Sequence, residues 1–318
     1  MISRAPHQLP ADKEEGLAKL VKLTWINFGF RLSIVAILYL VLGSSQAMRA
    51  AWLEDVLSLL PPLAFLISMH YRNRPPSDDY PYGHHRVTMI AFLCSAVVLS
   101  LLGLFLIGDS SIKLLKAEHT TIGAIELFGH TIWLGWLMVA GLTYSVIPPM
   151  ILGRIQQKWA EAVHEKTVLV DAKMSKADWM TGLAGIVGVL GVGLGLWWAD
   201  ALAALIIGLD VAKDGLSSLK EAIGDLLDRR PRSMTTGKAL GLEEELEARL
   251  EKLPWVKQAG VRLREEGHVL SGEVFVVAHS DTDLTRRLCE ARHLVQEQNW
   301  RLHEIVVTSV SSLESHDQ

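Results

Sequence analysis

Glu54, Asp55, Asp178 and Asp210 are carboxylates inside stretches of sequence that are otherwise apolar. A charged side chain at the centre of a bilayer costs at least ~2.5 kcal/mol, so each of these acids marks a site unless it is paired. Ser58 stands four residues after Glu54, and Met174 four before Asp178, so each pair shares a helix face, with Asp171 about two turns before Asp178 on the same helix. Where the two faces meet, carboxylates and a hydroxyl converge. A carboxylate cluster with an open coordination position suits a hard divalent cation, and no His or Cys stands among these residues to favour zinc. Manganese, iron(II) or magnesium therefore come before zinc. Acids crowded into a low-dielectric site repel one another, so an incoming cation displaces protons from them and proton-for-metal exchange follows. The alternatives are ion pairs: Lys173 or Lys176 with Asp171 or Asp178 at a helix start, and Lys213 with Asp210.

A second possible cation site lies in the polar segment "SDDYPYGHHR", where Asp78, Asp79 and His84 offer oxygen and imidazole donors beside His85. Its plainer reading is a turn set by Pro81 and Gly83, with solvated acids and interfacial tyrosines.

The elements that position these groups follow from hydropathy. The chain has 318 residues, 50% of them hydrophobic and 21% charged, with ten Trp. That composition points to a membrane protein. Six apolar spans, at about 25–43, 51–71, 87–108, 131–152, 178–197 and 200–218, approach the length a helix needs to cross the hydrocarbon layer, about 30 Å. Arg31 interrupts the first, the Glu54/Asp55 pair the second, and Asp210, Lys213 and Asp214 the sixth. The first 24 residues carry Arg4, Lys13, Glu14, Glu15, Lys19 and Lys22 and no early apolar run, which does not read as a secretion signal. Arg72, Arg74 and Arg86 after span two, and Arg154, Lys158, Lys166, Lys173 and Lys176 after span four, place those loops and both termini in the cytoplasm. Span five repeats glycine at 182, 185, 188 and 191, a stripe that lets a neighbouring helix approach. Cys94 and Cys289 form no disulfide framework or CxxC pair, and the net charge of −4 gives no basic footprint for nucleic acid.

After "LLDRRPRSM" the chain turns soluble in character and reads as α-β-β-α-β. The predicted fold is an all-α six-helix transmembrane domain over 25–228, preceded by a cytoplasmic segment 1–24 and followed by a small cytoplasmic α+β domain over 229–318.

The stretches "PPSDDYPYGHHR", "VDAKMSKAD", "WWADALAALIIG" and "LLDRRP", in this order and spacing, resemble the cation diffusion facilitator family. The resemblance implies a metallochaperone-like cytoplasmic domain, a homodimer, a cell (inner) membrane location, and export of a divalent metal in exchange for protons, without an enzyme activity or a resident cofactor. It implies a transport site at Glu54, Ser58, Met174 and Asp178, with Asp55 and Asp171 beside it. Ser58 replaces an acid and Met174 the metal-binding histidine of the family pattern, and Tyr80 stands where its loop has a histidine. Val261, Val277 and Thr308 stand where the family's soluble domain commonly carries histidines, with His279 close by. The sequence leaves two functions in competition: a proton-coupled exporter of a hard divalent cation, and a non-transporting partner subunit or membrane scaffold with a degenerate site. No nucleophile–base pair or HExxH arrangement supports an enzyme.

Overall fold

The computed structural model describes residues 9–41, 55–72, 74–117, 124–127, 130–193, 198–234, 237–280 and 282–313. They divide into two compact units, one of residues 16–70 and 90–222, the other of the start of the chain with 71–89 and 223–318.

The first unit is built from helices α1 (Ala11–Val41), α2 (Leu60–Arg72), α3 (Val87–Lys116), α4 (Leu134–Val163), α5 (Lys166–Gly193) and α6 (Ala199–Leu226), the outer turns of some reaching into the other unit. Among the described residues, two stretches, Ala11–Ile37 and α3, are long and apolar enough to cross a membrane. Several helices outrun the apolar spans expected from hydropathy. Helix α1 begins after Pro10, whose carbonyl accepts from the backbone N–H of Lys13 and Glu14, with Asp12 and Glu14 complementing the positive helix start. Ahead of α4, strands β1 (Ala124–Leu127) and β2 (His130–Trp133) pair antiparallel, so the expected fourth span gives up its first residues to a hairpin. Hydropathy alone does not separate an apolar strand from an apolar helix end.

Proline removes backbone hydrogen bonds at two places in these helices. Residues 55–57 are helical, Ser58 and Leu59 form a turn, and α2 starts at Leu60. Pro61 and Pro62 have no N–H, so the carbonyls of Leu57 and Ser58 lose their helical donors. Pro148 and Pro149 do the same to Tyr144 and Ser145 within α4. Glycine sets the helix spacing elsewhere. A Cβ on Gly103 of α3 would stand 2.3 Å from the backbone nitrogen of Ala212 on α6, and one on Gly215 of α6 would stand 2.6 Å from the Ser100 backbone. Within the glycine stripe, Gly182 receives Val146 of α4, a packing use.

The second unit carries α7 (Leu242–Leu250), β3 (Val256–Glu266), β4 (Val269–Ala278), α8 (Leu284–Gln298) and β5 (Leu302–Ser309), in the α-β-β-α-β order read from the sequence. The sheet order is β3-β4-β5, with β3 and β4 antiparallel and β4 and β5 parallel. Leu242, Leu246 and Leu250 recur every four residues along one face of α7 and close the core over Leu270, Val274 and Val276, with Ala291 and Val295 of α8. The β3–β4 turn needs Gly267, whose φ is +70° and whose Cβ would collide with Thr88 Oγ1.

Gly103→Ala is expected to lower the thermal unfolding midpoint of the purified protein by the equivalent of about 1–3 kcal/mol, because backbone must move to admit the methyl group. Gly29→Ala, with nothing within 4 Å of the new carbon, is expected to leave it unchanged or slightly raised.

Candidate functional site

Arg31 organises the interior of the first unit. It sits in the middle of α1 with its side chain 2% exposed, and a guanidinium at that depth stays charged and must find acceptors. Its two terminal nitrogens fork. Nη2 lies 3.3 Å from Asp171 Oδ1 and donates to Ser175 Oγ at 2.7 Å, while Nη1 lies 3.2 Å from Asp178 Oδ2 and donates to the carbonyl of Ser58. That carbonyl is one of those freed by the Pro61–Pro62 pair. Asp171, Ser175 and Asp178 come from one face of α5, since spacings of four, three and seven bring residues back to the same side.

Behind Asp171 a chain of neutral polar groups completes the network. Gln156 of α4 donates to Asp171 Oδ2 at 3.2 Å and to Thr24 Oγ1, and accepts from Asn27 Nδ2 at 2.9 Å. Both carboxylates keep a buried Oδ1 without a hydrogen bond; that of Asp171, which is fully buried, lies 3.3 Å from Arg31 Nη2 while its Oδ2 accepts from Gln156, and Asp178 is paired through Oδ2 alone. A small open cavity is lined by Arg31, Ile34, Asp55, Ser58, Ser145, Pro149 and Asp178. Two of its lining residues, Ser58 and Ser145, have backbone carbonyls released by proline. The lining residues thus offer carboxylates and hydroxyls, oxygen donors that suit a hard cation, beside the Arg31 guanidinium.

The structure thus brings Asp55, Ser58 and Asp178 to one cavity and puts Asp171 deeper, about two turns away along α5. Glu54 lies outside the described residues. Met174 is fully buried but packs into the apolar cluster with Phe92, Leu99, Leu102 and Val170, and it does not line the cavity. Among the described residues no three His, Cys, Asp or Glu side chains form a ready metal-holding group. The lysines that the sequence offers as partners for the acids turn elsewhere: Lys173 donates to Ser218 and Lys176 pairs with Asp210 at 2.7 Å. At 100° per residue both lie on the opposite side of α5 from Asp171 and Asp178. Arg31 is visible in the sequence only as an interruption of an apolar span, and the signal it carries is its cost there.

In the second unit the Tyr80–Gly83 stretch forms a turn, with Gly83 N–H donating to the Tyr80 carbonyl, and the His84 ring lies tilted against Tyr80, 4.6 Å between centroids. Asp78 and Asp79 are exposed. The neighbouring residues make a connection that the sequence does not announce. Arg86 pairs with Asp228 at 3.2 Å and Glu266 at 3.1 Å, and the His85 ring meets His268 and His303 at 5.6 and 5.3 Å between centroids. Burial, then the positive potential of His303 and Arg72, pushes His85 down to about 4, and burial also lowers His303.

Residues 23–227, well over half of the chain, match the cation efflux transmembrane domain. The chain belongs to the cation diffusion facilitator family. Members of this family are transporters of metal cations, not enzymes. This facilitator is 25% identical over 197 residues to the manganese efflux system protein MneS of Bacillus subtilis, covering 62% of this chain and 64% of that one. It is 21% identical over 267 residues to the manganese efflux system protein MneP of the same organism, covering 81% and 83%. Mitochondrial metal transporter 1 of Saccharomyces cerevisiae is 24% identical over 228 residues, 66% of this chain and 44% of the yeast protein.

His85 gives a prediction for the facilitator's second unit. Its folded state stays neutral down to about 4 while an unfolded chain protonates it near 6.5. Between these values the unfolded state binds more protons, so stability is expected to fall as pH drops from 6.5 toward 4. A histidine NMR titration of the full chain, assigned with His85→Gln, should find one ring titrating near 4; titration at 6.5 would contradict the packing around His85.

Proposed function

We propose that this facilitator is a secondary active transporter exporting a divalent metal cation from the cytoplasm in exchange for protons. The observation that carries this reading is the charge of the buried cluster. Asp55, Asp171 and Asp178 against Arg31 are three negative charges and one positive, leaving two negative charges at the edge of an oxygen-lined cavity. One divalent cation or two protons neutralises that remainder. Two states of equal charge are what an exchanger alternates between, because neither carries an uncompensated charge through a low-dielectric interior.

Asp178, which lines the cavity and has an oxygen without a hydrogen-bond partner, is the principal ligand, and Asp55 and Ser58 contribute oxygens from the same lining, Glu54 lying outside the described residues. Manganese leads the candidates, ahead of iron(II), magnesium and zinc. The donor set is oxygen, and MneS and MneP are named for manganese efflux. In this reading residues 25–228 form six membrane-crossing helices in a cell (inner) membrane, and residues 229–318 form a cytoplasmic domain that holds a homodimer together. The basic residues between spans put both termini inside. A second reading, a non-transporting partner subunit, is favoured by Arg31, since a guanidinium already satisfies part of the acid cluster.

Reconstitution separates the two. In liposomes with an imposed pH gradient the protein should move Mn²⁺, with Zn²⁺ slower, and Asp178→Asn should cut the rate at least tenfold. No flux of any divalent metal would support the partner-subunit reading, and flux unchanged in Asp178→Asn would place the transport site elsewhere.

A further inference from the structure

Arg31 and a metal ion have the same claim on Asp178. The guanidinium holds one oxygen of that carboxylate, the other oxygen has no hydrogen-bond partner, and Arg31 and Asp178 line the same cavity. A cation binding through both oxygens, or through one oxygen at metal-ligand distance, meets Arg31 as a like charge in direct contact. Asp171 is in a different position. It is fully buried, does not line the cavity, and has Oδ1 against Arg31 and Oδ2 on Gln156, which is fixed in turn by Asn27 and Thr24. The two carboxylates thus differ in availability although they share one guanidinium. Asp171 is held from behind, and Asp178 lines the cavity.

We infer that Arg31 is a tethered cation that occupies Asp178 when the transported metal is absent, and that Asp171 anchors it, so that metal binds Asp178 only as the guanidinium gives it up. Asp171 is on this account a positioning residue and not a metal ligand. The arm of the guanidinium on Asp178 is exchangeable and the arm on Asp171 is permanent. Arg31 therefore sets the metal affinity by competition, and the acid pair never stands without a counter-charge between transport events. The inference rests on Asp178 being a cation ligand, as proposed above.

A double-mutant cycle on Mn²⁺ binding tests it, measured by titration calorimetry on the full chain in detergent. Arg31→Gln removes the competitor and should tighten Mn²⁺ binding at least tenfold. Asp171→Asn releases the guanidinium toward Asp178 and should weaken it. In the double variant the Asp171 effect should vanish, because Asp171 acts only through Arg31. Weakening by Asp171→Asn that persists in the Arg31→Gln background would make Asp171 a direct ligand and overturn the inference. So would equal or weaker binding in folded Arg31→Gln. Where Arg31→Gln folds only with Mn²⁺ in the medium, the metal is replacing the guanidinium and the inference is supported. Where it fails to fold under either condition, Arg31→Lys decides: it keeps the charge without the fork, and should bind Mn²⁺ more tightly than the wild type, with unchanged or weaker binding overturning the idea. Mn²⁺ flux in the wild type with identical affinity in the variants would remove the tether and leave transport standing. Absence of wild-type flux with tight binding in Arg31→Gln would do the reverse.

Discussion

The ion pairs from Arg31 to Asp171 and Asp178 are the constraint on which the membrane unit depends. Two unit charges 4 Å apart interact by about 4 kcal/mol at an effective dielectric of 20. Burying them costs a comparable amount, so the fork contributes little net stability while intact, yet removing one partner of such a pair costs about 3–5 kcal/mol. This asymmetry makes the arrangement specific. Helices α1 and α5 and the break before α2 must assemble in the one geometry that gives the guanidinium all four of its contacts. The same interaction reaches the cavity, because Asp178, one of the two carboxylates that fix the helices, lines it.

Proline does the complementary work on the backbone. A regular helix consumes its own carbonyls and presents an apolar cylinder to its neighbours. At Pro61–Pro62 and Pro148–Pro149 that consumption stops, and the carbonyls of Ser58 and Ser145 belong to residues that line the cavity. One of them is already taken by Arg31. In a medium that supplies no water to a stray polar group, such irregular backbone persists only where it faces protein or a polar space. Glycine has the opposite use: at Gly103 and Gly215 it removes side chains so that α3 and α6 touch backbone to backbone, which keeps the packing away from the cavity rigid.

The legibility of the site divides along the same lines. Asp55, Ser58 and Asp178 are readable because an acid in an apolar run is costly and helical spacing says which neighbours share its face. Their convergence on one cavity is an extrapolation from those faces. Arg31 is readable as a cost but not as a partner, because Asp171 and Asp178 are remote in sequence, and local pattern offers Lys173 and Lys176 first. The period of the helix already argues against those lysines, which lie across α5 from the acids. Met174 occupies a position where family pattern suggests a ligand, and its side chain goes to an apolar cluster as its chemistry prefers. In the second unit the element order follows from alternation and turn residues, whereas the meeting of His85 with His268 and His303 depends on where a loop folds back, which no periodicity encodes.

The central claim is that Asp178 receives the transported cation in place of Arg31. A structure of the protein with Mn²⁺, with anomalous data at the manganese edge, tests it most directly. The account predicts an anomalous peak at metal-ligand distance from an Asp178 oxygen, with the Arg31 guanidinium withdrawn from that carboxylate and still on Asp171. A peak away from Asp178, or one beside it with the guanidinium still bridging both acids, would contradict it.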